Sequence, residues 1–173
     1  HQLIDEMSGK LKPIIKEKQE FFRKLAKRFY PNNASGITVY NNEGENQQRY
    51  TIEAKIESDN SDGINNVKIF CYDMTMLFKG HGHNVKFSFH DSRLFDGIDE
   101  KHKAEIFKVV NKLFNGTDYQ YIATVNQNQL NEVKSILTEQ EYEEIIEKNT
   151  ILTLTDEDDS EKLLGIKVDV GYE

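Results

Sequence analysis

No apolar run in these 173 residues reaches the roughly 18 that a membrane-crossing helix needs, which excludes a helical span. The opening residues, His1 to Gly9, lack the apolar core that follows a basic start in a secretory leader. The single cysteine, Cys71, leaves no internal disulfide to form and fits a reducing, cytoplasmic setting. Cys71 lies in an apolar run, where the expected role is a small buried hydrophobe rather than a reactive thiol. Nowhere does a glycine-rich loop end in Gly-Lys-Ser or Gly-Lys-Thr, so the chain by itself has no phosphate-cradling loop. No paired carboxylates, nucleophile elbow or Cys–His pair stands out either.

What remains is a polar chain, 37% hydrophobic and 30% charged, long enough for one domain with a real core. Its net charge of −8 is spread unevenly. In residues 1–30, Lys10, Lys12, Lys16, Lys18, Arg23, Lys24, Lys27 and Arg28 outnumber Asp5, Glu6, Glu17 and Glu20, so the charge there is +4 and the rest carries −12. An acidic body is a poor non-specific partner for DNA, because phosphate contacts drive that affinity. The basic stretch is either a solvated helix face or a surface touching nucleic acid.

Residues 1–30 carry Met7, Leu11, Ile14, Lys18, Phe22, Leu25 and Phe29 at helical spacings. Pro13 predicts a break near Lys12, with a regular helix from there to Phe29. A chain that opens inside a polar helix resembles the end of a coiled coil. Ile37–Tyr40 and Arg49–Ile56 alternate like strands around the turn residues Asn41–Gly44, which predicts a hairpin. Residues 64–79 are apolar nearly all round, as a buried helix is. Val85–His90 reads as a central strand, Glu100–Phe114 as a helix capped by Asp99, and Tyr119–Val125 as a second strand. Helices follow over Gln129–Leu137 and Glu139–Lys148, the latter with Thr138 and Glu141 as a capping box. Ile151–Leu154 and Leu163–Val170 read as terminal strands, joined by the acidic run Asp156–Asp159, which is a solvated loop before it is a calcium site.

The strand–helix–strand unit demands a parallel pair, and ligands in such sheets gather at the carboxyl ends of the strands. Asp91 and Ser92 stand at one such end and Asn126 at the other. A carboxylate there either holds magnesium or satisfies the amides of a turn. Ser61-Asp62-Gly63, ahead of the apolar helix, is either an anion-binding helix start or an ordinary turn. His81, His83 and His90 suggest a metal, although zinc needs three or four converging ligands.

Taken in order, Ser61-Asp-Gly63, the apolar helix, Phe87-Ser-Phe-His-Asp91-Ser92, Phe95-Asp-Gly-Ile-Asp99 and Tyr121-Ile-Ala-Thr-Val-Asn126 resemble the carboxyl-terminal lobe of ABC-type ATPase heads. The likeness covers roughly residues 35–130. It is similar above all to an uncharacterised bacterial family of coiled-coil proteins related to SMC and RecN, which carry a His-Asp-Ser…Leu-Phe-Asp-Gly run. Some of these belong to ABC-three-component systems proposed to act in defence against foreign DNA. The resemblance implies that Ser61 and Gly63 form the signature motif meeting the γ-phosphate of ATP on a partner head. It implies that Asp91 is the Walker B aspartate assisting Mg2+, Asp99 the D-loop aspartate, and Asn126 the switch position, which is usually histidine. Ser92 stands where these ATPases place a catalytic glutamate, and Asn126 lacks the charge of a protonated histidine. Hydrolysis would then be slow, absent, or dependent on another carboxylate such as Asp96.

The expected architecture is therefore α/β, a mixed sheet with a parallel strand–helix–strand unit and flanking helices. Residues 1–30 would end a coiled coil, and residues 31–173 would form the lobe. The expected function is completion of a composite ATP site when heads dimerise. The partners would be the amino-terminal lobe of the same protein and a second head, with DNA engaged at most indirectly and no membrane. On this reading the lobe alone is inactive. The rival from another class is a non-catalytic interaction domain in which Asp91 only forms a turn. A metal-dependent nuclease built on the three histidines is a third reading.

Overall fold

A computed structural model describes residues 2–41 and 50–155, with the side chains of all of these except 2–10 and 41. The chain divides into two units, residues 1–136 and 137–173. The first unit begins with helix α1, Gln2–Phe29, which runs through Pro13. The break expected near Lys12 is therefore absent. A proline removes its own amide donor and crowds the carbonyl four residues earlier, which kinks a helix without having to end it. Beyond it the predicted stripe is realised, with Phe22, Leu25 and Phe29 buried together with Ala26.

The hairpin pairs β1, Ser35–Asn41, with β2, Tyr50–Ile56, antiparallel, with Ile37 opposite Ala54. Its connecting loop lies outside the described residues. Helix α2, Asp62–Lys79, is the centre of the unit and buries Val67, Phe70, Cys71, Met74 and Leu77. Phe70 meets Phe29 of α1 edge-on, with centroids 6.0 Å apart. Each fully buried side chain of this size contributes about 1.5–3 kcal/mol. Burial pushes the Cys71 thiol far above its ordinary range, so it stays protonated and inert.

β3, Phe87–His90, and β4, Gln120–Ala123, form a parallel pair with Phe89 opposite Ile122 and His90 opposite Ala123. Helix α3, Glu100–Phe114, crosses between them. Asp99 caps α3, its side chain accepting from the His102 amide at 3.0 Å. Helix α4, Gln127–Ile136, packs on α3, and the buried Lys103 pairs with Glu132 across them. Arg28 of α1 reaches Glu105 of α3 at 2.5 Å.

The parallel unit is present, but the burial expected of a central strand is not. Val85 lies outside β3, and Phe87 and Phe89 are 54% and 52% exposed. Successive side chains of a strand point to opposite faces. Ser88 and His90 therefore turn toward the interior, and the Phe87–Phe89 face has no covering layer among the described residues.

In the second unit, α5 spans Glu139–Ile145 and a 3-10 turn follows over Glu147–Asn149, in place of one helix to Lys148. The amide of Asn149 donates to the carbonyls of Glu144 and Ile145 and closes the helix early. The capping box of Thr138 and Glu141 is formed in both directions. Ile151–Leu154 is not a strand. Ile151 is 92% exposed, and the segment has no strand partner among the described residues. The expected strand over 163–170 and the acidic run over 156–159 lie outside them.

Candidate functional site

Asp91 follows β3 directly and is exposed at its carboxyl end. The ladder continues past the strands, since the Thr124 amide donates to the His90 carbonyl at 3.1 Å. Asp91 and the end of β4 are thus neighbours. Asp91 Oδ1 accepts from the Arg93 amide at 3.0 Å and caps the 3-10 turn Ser92–Phe95. Its Oδ2 is not engaged among the described residues. An open groove beside it is lined by Asn66, Ile69, Phe89, His90, Asp91, Arg93 and Leu94. The guanidinium of Arg93 has no hydrogen bond or ion pair among the described residues.

The turn after Asp91 is tied down from two sides. Asn66 on α2 donates to the carbonyls of Arg93 at 3.3 Å and Asp96 at 2.9 Å. Gly97, at a φ of +69°, brings its carbonyl against the first turn of α2. That contact accounts for Gly63, which is buried there. Ser61 is the N-cap residue of α2, exposed, and makes no side-chain capping bond. Its hydroxyl has no partner among the described residues, whereas Gly63 serves packing.

Asp99 is engaged inside the fold. Beyond its cap bond, its Oδ2 lies 2.5 Å from His102 Nδ1, and His102 Nε2 lies 2.9 Å from the Phe29 carbonyl. Burial pushes the Asp99 carboxyl up, but the His102 amide, charge and imidazole together with the Lys101 amide outweigh it and hold it below the usual carboxylate range. Burial first, then the charge of Asp99, pushes the nearby Tyr30 hydroxyl up to about 12.

Asn126 is exposed just ahead of α4. Its amide donates to Gln129 Oε1 at 3.1 Å. Gln129 also donates through Nε2 to the Ser92 carbonyl and to Asp96 Oδ1, both at 3.0 Å. One buried glutamine thus joins two of the sequence-selected positions, Ser92 and Asn126, with Asp96. Its sequence signal is a polar residue one turn before the buried Val133, on the apolar stripe of α4.

The three histidines do not converge. His81 lies 4.0 Å from Glu17, and His83 Nε2 lies 3.1 Å from the Met76 carbonyl. His90 is buried, with Nε2 2.9 Å from Asp73 Oδ2 and Nδ1 3.0 Å from the Tyr121 hydroxyl. No group of three potential metal-ligating side chains occurs among the described residues. The three-histidine metal centre is therefore corrected: the three imidazoles stand apart, each beside a different partner. The sequence marks Tyr121 only as part of a strand and gives Asp73 no signal; the register of β3 and β4 sets Tyr121 opposite Ser88, on the face that His90 shares.

Over residues 25–168 the chain matches the family described as "Uncharacterised protein conserved in bacteria (DUF2326)". No curated protein matches it in sequence. Among solved structures it is similar to an SMC head bound to the C-winged helix domain of ScpA, with a TM-score of 0.54 and 10% identity. That match covers 74% of this chain and 40% of the SMC chain, so this chain spans less than half of that head. A structure from work on ATP-driven dimerization and DNA-stimulated activation of SMC ATPases aligns at 12% identity, over 75% of this chain and 78% of that one. Its TM-score is 0.47. At such identity the likeness is one of fold: a mixed α/β domain like part of an SMC head. No helix among the described residues is long and apolar enough to cross a membrane.

Proposed function

The chain belongs to the bacterial DUF2326 family, and we propose that its first unit is the carboxyl-terminal lobe of an SMC-like ATPase head that completes a composite ATP site when two heads dimerise. The observation that carries this reading is the meeting of Asp91, the turn over Ser92–Gly97, the first turn of α2 and the end of β4 at one tip of a parallel pair. Carboxyl ends of parallel strands are where α/β sheets bind ligands.

The donor set fits Mg2+ bound together with phosphates. Magnesium is usually held by one or two carboxylates plus substrate oxygens rather than by a full protein cage. Asp91 supplies one carboxylate with an uncommitted oxygen beside an open groove. When bound there, the ion supplies positive charge to the β- and γ-phosphates. The chain's own part is to present Asp91 and Arg93 in the groove, and Ser61 at the start of α2 toward a nucleotide held by the partner head. Asn126 takes the switch position as a neutral hydrogen-bonding group.

The half-exposed Phe87 and Phe89 fit an amino-terminal lobe covering that face of the sheet. A second head and, indirectly, DNA are the further partners in this reading. Defence against foreign DNA would be the setting. The Asp99 carboxylate, engaged by His102, favours a structural use of that residue over a contact across a head dimer.

The test is binding of MgATP by the full-length protein and by residues 1–173 alone. Micromolar binding by the full-length protein and none by the fragment is expected. Tight binding by the fragment alone would sink the split site. Absence of binding by both would favour the interaction domain.

A further inference from the structure

Gln129 is 6% exposed, and its side-chain oxygen and nitrogen are both engaged. A buried amide is expensive to leave unpaired, so a glutamine on an apolar helix face is retained only where its partners are fixed. Those partners are 37 and 33 residues away at Ser92 and Asp96, and 3 residues away at Asn126. One rigid group therefore sets the distance between the end of β4 and the turn that follows Asp91. It also holds Asp96 by Oδ1 and leaves Oδ2 free among the described residues, while Asp96 itself is exposed.

Ser92 follows Asp91 directly and has no carboxylate to polarise water. Asp96 is the carboxylate of the same turn, and Asn66 holds its carbonyl from the other side at 2.9 Å. We propose that Asp96 polarises the attacking water in the composite site and that Gln129 is the positioning residue that aims it. Water adds to the γ-phosphorus, the bond to the bridging oxygen breaks with its electron pair leaving on ADP, and the proton from water passes to Asp96 and then to the released phosphate. This deepens the composite-site reading and rests on it.

The experiment is steady-state ATP turnover by the full-length protein. The variants are Gln129→Leu, Asp96→Asn and the two combined. Gln129→Leu lowers kcat roughly ten- to a hundredfold, the range expected for a misaimed catalytic group, with KM within about twofold. Asp96→Asn lowers kcat at least as far. The double variant is no worse than Asp96→Asn, because a residue that acts only through Asp96 has nothing left to aim. A merely structural glutamine would give losses that multiply, and that result overturns the inference. Should Gln129→Leu fail to fold, Gln129→Met, which keeps the length of the side chain and removes its hydrogen bonds, is read the same way. Wild-type protein that binds MgATP without hydrolysing it overturns this inference and leaves the composite site standing. Wild-type protein that binds no nucleotide overturns both.

Discussion

A Cβ built on Gly63 would lie 2.3 Å from the carbonyl oxygen of Gly97. The first turn of α2 and the turn after Asp91 touch there backbone to backbone, which only a glycine permits. The obstructing atom is main chain, and Asn66 anchors that turn through the carbonyl of the preceding Asp96, so it cannot swing aside as a side chain would. Gly63→Ala is expected to destabilise the domain by about 1–3 kcal/mol, the usual range for overpacking. Urea unfolding measures it as a lower midpoint. An unchanged midpoint would mean that the two segments separate without loss, and the tip would lose its rigidity argument.

The elements legible in the sequence are those fixed by local contacts. The cap at Asp99, the span of α3 and the capping box at Thr138 follow from side chains within three or four residues of the backbone groups they satisfy. The placement of Asp91 beside the end of β4 followed from the demand that a strand–helix–strand unit be parallel. The links made by Gln129, Asn66 and His90 were not legible. Each joins segments 17 to 37 residues apart, and no periodicity encodes which polar group a buried amide or imidazole will find. The strand expected over Ile151–Leu154 failed for a related reason. Alternation marks a side-chain pattern and does not supply the neighbour that a strand requires.

Asp91 does two things that can be separated. It caps its own turn through Oδ1, and in the proposed site it holds Mg2+ with phosphate. Asp91→Asn keeps an acceptor for the Arg93 amide and removes the charge. Thermal unfolding of the variant should stay within about 0.5 kcal/mol of wild type, the usual range for an exposed position. ATP turnover by the full-length protein should fall by roughly a hundredfold or more, as when a transition-state charge partner is lost. Unchanged turnover would make Asp91 a turn former only.

Phe87 is more than half exposed on the bare face of the β3–β4 pair. Within this chain it has little burial to lose, so Phe87→Gln should leave the urea midpoint of residues 1–173 within about 0.5 kcal/mol. In the proposed head the same change would sit under the amino-terminal lobe of the full-length protein. There it should lower the midpoint by about 1–3 kcal/mol, the cost of a buried polar amide without a partner. Equal effects in both proteins would show that no lobe covers this face.

The pH dependence of stability follows from Asp99. Its carboxyl lies below the usual range in the folded protein, with burial opposing and the His102 contacts prevailing. In the unfolded chain it titrates near an ordinary aspartate, about 3.9. The unfolded state therefore takes up its proton first as pH falls. The stabilisation is present in full above about pH 5 and is lost progressively as pH drops through the folded value. Asp99→Asn keeps the acceptor that caps α3 and abolishes the titration, whereas Asp99→Ala removes the cap and costs about 1 kcal/mol at neutral pH. Urea midpoints at pH 7 and pH 3 separate the two contributions. Wild type should lose more stability between those values than Asp99→Asn, with the other carboxylates common to both. If the two proteins lose stability in parallel, the contact between Asp99 and His102 contributes nothing to folding, and the Asp99 carboxylate is free for a partner after all.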